Sequence, residues 1–63
     1  MSRKTLKTAV RELVTYRLVQ IDNGEYLLFE IKRRAPIAKN WELYGYTYSI
    51  EDANQMFFQL SGV

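Results

Sequence analysis

The pair Asn23-Gly24, set between two runs rich in β-branched and aromatic residues, limits the fold of this chain more than any other feature. A two-residue type I′ turn needs positive φ at both central positions, which Asn and Gly adopt at the lowest cost. The flanking runs, 14–21 and 26–33, are rich in the residue types that favour strands. The sequence therefore predicts a β-hairpin with Asn23-Gly24 as its loop.

This turn determines which residues face each other across the hairpin. The expected pairs are Ile21 with Tyr26, Val19 with Leu28, Arg17 with Glu30, and Tyr16 with Ile31. An opposite-charge pair contributes about 0.2–1 kcal/mol, which favours this register. The predicted core face carries Val14, Tyr16, Leu18, Leu27, Phe29 and Ile31. The other, mixed face carries Thr15, Arg17, Val19, Leu28, Glu30 and Lys32.

Apolar residues near the start of the chain recur at helical spacing. They are Leu6, Ala9, Val10, Leu13 and Val14. The cations Arg3, Lys7 and Arg11 form a row on the opposite side. This i, i+3, i+4 pattern predicts a short amphipathic helix over 5–13, within a basic N-terminal segment, 1–13.

The region 34–48 predicts a loop followed by a third strand. Pro36 cannot donate to a strand ladder, so 34–40 is expected to be a loop. The aromatic-rich run 41–48 predicts a strand in which Gly45 marks a bulge or a close approach.

The last part of the chain predicts a helix over 50–60. Ser49 can cap its start and Gly62 can end it. We therefore expect one α+β domain over 1–63. It would hold a three-stranded antiparallel β-meander (14–48), a C-terminal helix (49–61) packed on one face, and the short N-terminal helix.

The composition argues against catalysis. The chain has no His and no Cys, so it lacks the commonest general base and the usual zinc ligands. It has no Gly-rich phosphate loop either. We expect no enzyme activity, no cofactor and no metal. Without a signal peptide or an apolar run of about 20 residues, we expect a cytoplasmic protein that does not contact a membrane.

The charge is distributed unevenly along the chain. Positions 1–39 hold all nine basic residues and four acidic ones, a charge of +5, whereas the remainder holds three acidic residues and no basic ones. The densest run is Lys32-Arg33-Arg34. Such a run can bind phosphates at the edge of a sheet, and it can equally protect a strand end from pairing with another chain. The sequence leaves both interpretations open.

Aromatic residues are abundant for 63 positions. We expect Tyr16, Phe29, Trp41 and Phe57 in the core. Tyr26, Tyr44 and Tyr46 are candidates for a sheet face that combines aromatic planes with cations. Such a face suits stacking on bases or a protein interface, although tyrosine also simply favours strands.

The stretch Tyr44-Gly45-Tyr46-Thr47-Tyr48-Ser49-Ile50-Glu51-Asp52-Ala53 resembles the last strand and helix start of three-stranded-sheet DNA-binding domains. These include the arm-binding domains of tyrosine recombinases and plant ethylene-response-factor domains. In them an aromatic strand is followed by Thr or Ser, an acidic residue and Ala, and the sheet lies in the major groove. The resemblance implies DNA contacts by Arg17, Lys32 and Tyr44.

These observations predict a non-catalytic protein that binds nucleic acid, with DNA as the favoured ligand. The expected contact residues are Arg3, Lys4, Lys7, Arg17, Lys32, Arg33, Arg34 and Tyr44. The alternative is a small protein-interaction module, such as a regulator or an inhibitor of the kind that phage-like genomes encode, which docks through an aromatic sheet face or an edge strand. A homodimer is a further hypothesis, because the core of so short a chain is small.

Overall fold

The computed structural model describes residues 1–63 and contains four strands followed by one helix. The elements are β1 (Ser2–Arg11), β2 (Val14–Asp22), β3 (Leu27–Arg34), β4 (Glu42–Thr47) and α1 (Ile50–Ser61). The strands pair antiparallel in chain order, which makes a β-meander. We call the side covered by α1 the helix face; it carries Leu18, Phe29 and Ile31. The opposite side, which carries Arg17, Val19 and Lys32, is the open face.

The α+β class and the C-terminal helix are confirmed, but the N-terminal helix over 5–13 and the count of three strands are wrong. Residues 2–11 form β1, which pairs with β2 and contains a β-bulge between Thr5 and Lys7. The bulge explains the misleading periodicity. An extra residue in a strand interrupts the alternation of faces, so Leu6 and Ala9 both pack against the core although three positions separate them.

A two-residue turn with two left-handed residues does occur, but between β1 and β2. Glu12 and Leu13 have φ values of 52° and 72°. Neither residue type favours this conformation, in which a side chain other than that of Gly costs roughly 1–2 kcal/mol. The turn is therefore imposed by the pairing of the two strands and not by its own composition.

The Asn23-Gly24 hairpin is confirmed, but its predicted register is wrong by two residues. Asp22 faces Leu27, and Val19 faces Glu30, so the loop has four residues and not two. Of the predicted pair, Gly24 alone has a positive φ, 94°. The Asn23 Oδ1 atom instead accepts hydrogen bonds from the backbone N–H groups of residues 25 and 26, both at 3.0 Å.

A displacement by two residues leaves every side chain on its predicted face, because side chains alternate along a strand with a period of two. Leu18, Phe29 and Ile31 are accordingly buried, as predicted. Leu27 is exposed and Val14 is half-buried, because both lie near strand ends beyond the densest packing.

The core is formed where α1 crosses the sheet. Its buried members are Leu18, Phe29, Ile31, Ala53 and Phe57. Burying one large apolar side chain contributes about 1.5–3 kcal/mol, so this cluster is the main stabilising unit. Tyr16 lies at its margin and is partly buried, and Gly45 allows close approach of the helix, since an added Cβ would lie 2.9 Å from Met56 Cε.

The ends of α1 follow the sequence prediction. The Ser49 hydroxyl accepts a hydrogen bond from the Asp52 N–H at 3.3 Å, which satisfies one of the free donors of the first turn. Gly62 has a φ of 77° and donates its N–H to the Phe58 carbonyl. The guanidinium of Arg11 donates to the Leu60 carbonyl at 3.3 Å, which links β1 to the end of the helix.

Replacing Glu12→Asn and Leu13→Gly together should raise the free energy of unfolding by about 1 to 2 kcal/mol, because Asn and Gly accept the positive φ values of this turn at low cost. Urea unfolding followed by circular dichroism measures the change. As a control, Leu13→Ala keeps the unfavourable φ and should give no comparable gain. An unchanged or lower stability of the Asn-Gly variant would contradict the assignment of strain to this turn.

Candidate nucleic-acid interface

The open face is assembled from all four strands. β4 meets β3 with a register shift between Ile31 and Lys32, so Leu43 faces Lys32 and Tyr46 faces Glu30. The members of this face are Arg3, Thr5, Thr8, Val10, Thr15, Arg17, Val19, Ile21, Leu28, Glu30, Lys32, Arg34, Leu43 and Tyr46. This face therefore combines cations with aromatic and aliphatic side chains, as the sequence predicted for the two hairpin strands.

A groove of about 160 Å³ lies on the open face. It is lined by Arg3, Lys4, Thr5, Arg17, Val19, Lys32 and Trp41. Arg3, Arg17 and Lys32 bring cationic side chains to it from three different strands, whereas Lys4 pairs with Gln20 of the helix face and lines the groove from the neighbouring position of β1. We call this surface the basic groove. A concave surface lined by one sign of charge concentrates the potential that attracts an anion.

Trp41 is the central aromatic of the basic groove and not part of the core, so its predicted placement is wrong. Trp41 is half-buried, and the guanidinium carbons of Arg17 and Arg34 lie 4.2 and 4.8 Å from the centroid of its ring. The side chains of α1 already occupy the helix face. On the open face, by contrast, the indole can pack against two planar guanidinium groups. Such cation–π contacts contribute about 0.5–2 kcal/mol and hold both guanidinium groups in place.

Arg17 has two features that indicate a ligand. Its Nε atom is buried and has no hydrogen-bond partner within the protein. It also lies directly opposite Lys32, and like charges placed opposite each other destabilise a sheet. A bound anion would reduce this repulsion.

Glu30 is the one carboxylate at the centre of this face. The predicted pairing of Glu30 with Arg17 is wrong; the carboxylate lies 3.4 Å from Arg3 and 3.6 Å from Lys32. Partly exposed ion pairs contribute at most about 1 kcal/mol, so their main effect is to position the two cations beside the groove.

The structure separates the eight predicted contact residues into two groups. The first group lines the basic groove and consists of Arg3, Lys4, Arg17 and Lys32. Arg34 lies next to it, because its guanidinium group stacks on Trp41 of the groove. Lys7, Arg33 and Tyr44 lie elsewhere.

Arg33 points to the face opposite Lys32, since neighbours on a strand alternate. It pairs with Glu42 at 3.2 Å and lies over the ring of Tyr44, with its guanidinium carbon 5.5 Å from the ring centroid. The basic run is thus divided between the two faces of the sheet.

A second aromatic group lies farther along the open face. The ring centroid of Tyr48 is 5.4 Å from that of Tyr26 and 6.1 Å from that of Tyr46, both in edge-to-face geometry. We call these three residues the tyrosine cluster; their exposed fractions are 49, 59 and 62% for Tyr26, Tyr46 and Tyr48. The sequence named Tyr26 and Tyr46 as candidates, and the structure adds Tyr48 to them.

Comparisons with protein-family models, curated proteins and solved structures found no match. The resemblance to three-stranded DNA-binding domains stays a prediction, and the sheet has a fourth strand, β1, beyond that pattern. α1 is neither long enough nor apolar enough to cross a membrane.

Arg34→Ala removes a guanidinium group that lies over the Trp41 ring. The more exposed indole should then show stronger quenching of its fluorescence by acrylamide. Trp41 is the only tryptophan, so the signal is specific. Arg33→Ala is the matched control, because it removes the same charge from the neighbouring position on the other face. Equal effects of the two variants on quenching would contradict the stacked arrangement.

Proposed function

We propose that this protein binds nucleic acid without catalysis, through the open face of its sheet, with DNA as the expected ligand. The observation that carries the proposal is the basic groove, where cations of β1, β2 and β3 converge on one concave surface around an aromatic ring. Phosphate contacts supply most of the affinity of proteins that bind nucleic acid without strict sequence preference.

The arrangement of Arg17 supports a phosphate ligand in particular. Guanidinium groups bind phosphate oxygens through two parallel hydrogen bonds, and stacking on an aromatic ring orients the group in advance. Arg17 is stacked on Trp41 and has an unpaired Nε–H donor. A phosphate bound beside the guanidinium would offset the repulsion between Arg17 and Lys32.

Arg34 extends this cationic surface beyond the groove. Because it stacks on the same indole as Arg17, two guanidinium groups lie against one ring. Consecutive phosphates of one strand could contact them in turn. Glu30 offsets part of the charge, but it is already paired with Arg3 and Lys32.

A protein-interaction module is the second candidate, and the tyrosine cluster favours it. Tyrosine is enriched in protein interfaces, and all three rings are about half exposed or more. A regulator or an inhibitor could dock this surface on a partner. This candidate would become the leading one if the chain failed to bind any nucleic acid at low salt.

A homodimer stays a hypothesis, and it should not form through the free edge of β1. That strand carries Arg3, Lys4, Lys7 and Arg11 and no acidic residue. Pairing two copies along this edge would bring four positive charges from each copy together, which opposes association. Sedimentation velocity at several concentrations tests for a dimer through another surface.

Loss of the open-face cations should weaken nucleic-acid binding and reduce its salt dependence. Lys32→Ala combined with Arg34→Ala removes two such charges. Fluorescence anisotropy between about 50 and 200 mM salt should show a slope of log K against log salt that is flatter by about 1.4 for single strands, or about 1.8 for duplex DNA.

The matched control combines Arg33→Ala with Lys39→Ala. It removes the same charge, but Arg33 lies on the other face and Lys39 lies in the loop between β3 and β4. The control should change the slope much less. Absence of binding by the wild-type chain, or equal slopes for both double variants, would contradict the proposal.

A further inference from the structure

The tyrosine cluster adjoins the basic groove on the same face. Tyr46 faces Glu30 across β3 and β4, and Glu30 contacts both Arg3 and Lys32 of the groove. Glu30 and Lys32 are two positions apart on β3, a rise of about 7 Å. The aromatic rings and the cations therefore form one continuous surface on which both the backbone and the bases of a nucleic acid can bind.

The width of the sheet argues against binding in the major groove of a duplex. Neighbouring strands lie about 4.8 Å apart, so the outer strands of a four-stranded sheet are separated by about 14 Å before side chains are added. The major groove is about 12 Å wide and admits a helix or a two-stranded ribbon. β1, the strand absent from the three-stranded pattern, makes the open face too wide to enter.

The charge of β4 argues in the same direction. β4 has no basic residue and carries Glu42, whereas β1 at the other edge has four cations. A sheet inserted into a duplex groove meets a phosphate backbone on both sides, and β4 has no cation to offer to one of them. A single strand has one phosphate backbone, so cations along one part of the sheet are sufficient to bind it.

We propose that the ligand of the open face is single-stranded nucleic acid, with its phosphates in the basic groove and its bases stacked on the tyrosine cluster. The inference rests on the nucleic-acid function proposed above and names the class of ligand. The bases of a duplex already stack on each other, whereas those of a single strand are free to stack on aromatic side chains.

The geometry of the tyrosine cluster suits this role. Tyr48 makes angles of 72° and 86° with the rings of Tyr26 and Tyr46. In an edge-to-face pair one ring presents its edge to the other, so ring faces remain free for a base. Trp41 has a different role, because Arg17 and Arg34 already lie over its ring and the indole orients these two cations.

DNA and RNA both offer the phosphates and bases that this surface would contact, and no feature of the surface selects a 2′-hydroxyl group. Stacking is also tolerant of base identity, because every base has a π-face. The binding experiment therefore uses labelled oligo(dT), oligo(U), and one mixed-sequence DNA strand, alone and annealed to its complement. The mixed-sequence strand alone should bind at least about tenfold more tightly than its duplex, a difference of about 1.4 kcal/mol.

The stacking role is tested with Tyr46→Leu. This change should weaken binding of the single strands about 5- to 100-fold and leave the salt slope unchanged, because a stacked base carries no phosphate charge. Tyr46→Phe keeps the ring and should retain affinity. The matched control is Phe58→Leu, which alters an equally exposed aromatic on α1.

The outcomes separate this inference from the proposed function. Duplex binding as tight as single-strand binding, with loss on removal of Lys32 and Arg34, would overturn the single-strand inference and preserve nucleic-acid binding. An effect of Tyr46→Leu no larger than that of Phe58→Leu would also overturn it. Failure to bind every probe at low salt would instead overturn the proposed function itself.

Discussion

The packing of α1 against β2 and β3 is the interaction on which the rest of the structure depends. Leu18 and Ile31 are completely buried beneath it, and Phe57 has an exposed fraction of only 1%. A chain of 63 residues can bury one core of this size, and one helix can cover one face of the sheet. The open face is the direct consequence, and it carries the basic groove and the tyrosine cluster.

Two β-bulges decide which side chains reach each face. The one in β1 lets Leu6 and Ala9 both pack on the core, and the one where β3 meets β4 places Leu43 and Tyr46 together on the open face. Without an extra residue in each strand, the strict alternation of faces would separate these pairs. The bulges therefore do more than relieve local geometry, since they determine which residues make up the open face.

Part of the apolar surface of the open face is covered by neighbouring side chains of the same face. Val19 and Ile21 are each only 6% exposed although no helix packs on that side. Long Lys and Arg side chains cover apolar surface with their methylene groups while their charges stay in water. The cations around Val19 in the basic groove thus serve stability through their stems and remain available for an anion through their heads. A substitution there can affect both properties, which is why matched charge removals elsewhere are needed to interpret binding data.

Several elements can be predicted from strong local signals in the sequence. Asn23-Gly24 marks the hairpin, Ser49 and Gly62 delimit α1, and the alternation of β2 and β3 identifies Leu18, Phe29 and Ile31 as core. These features depend on the conformational preferences of residues that lie close together in the chain. The cationic character of the chain's first 39 positions is equally a property of composition.

The other features depend on contacts between distant parts of the chain. Leu6 and Ala9 have helical spacing, and it took pairing with β2 and a bulge to make that segment a strand. Three features of the open face depend on the register of the strands. Arg17 lies opposite Lys32, Trp41 packs against two guanidinium groups, and Lys32 and Arg33 lie on opposite faces of the sheet. Register is set by the total fit of the strands to each other and to the helix, because each shift by one residue exchanges the two faces and each shift by two changes every partner. No local preference of the residues involved contains that information.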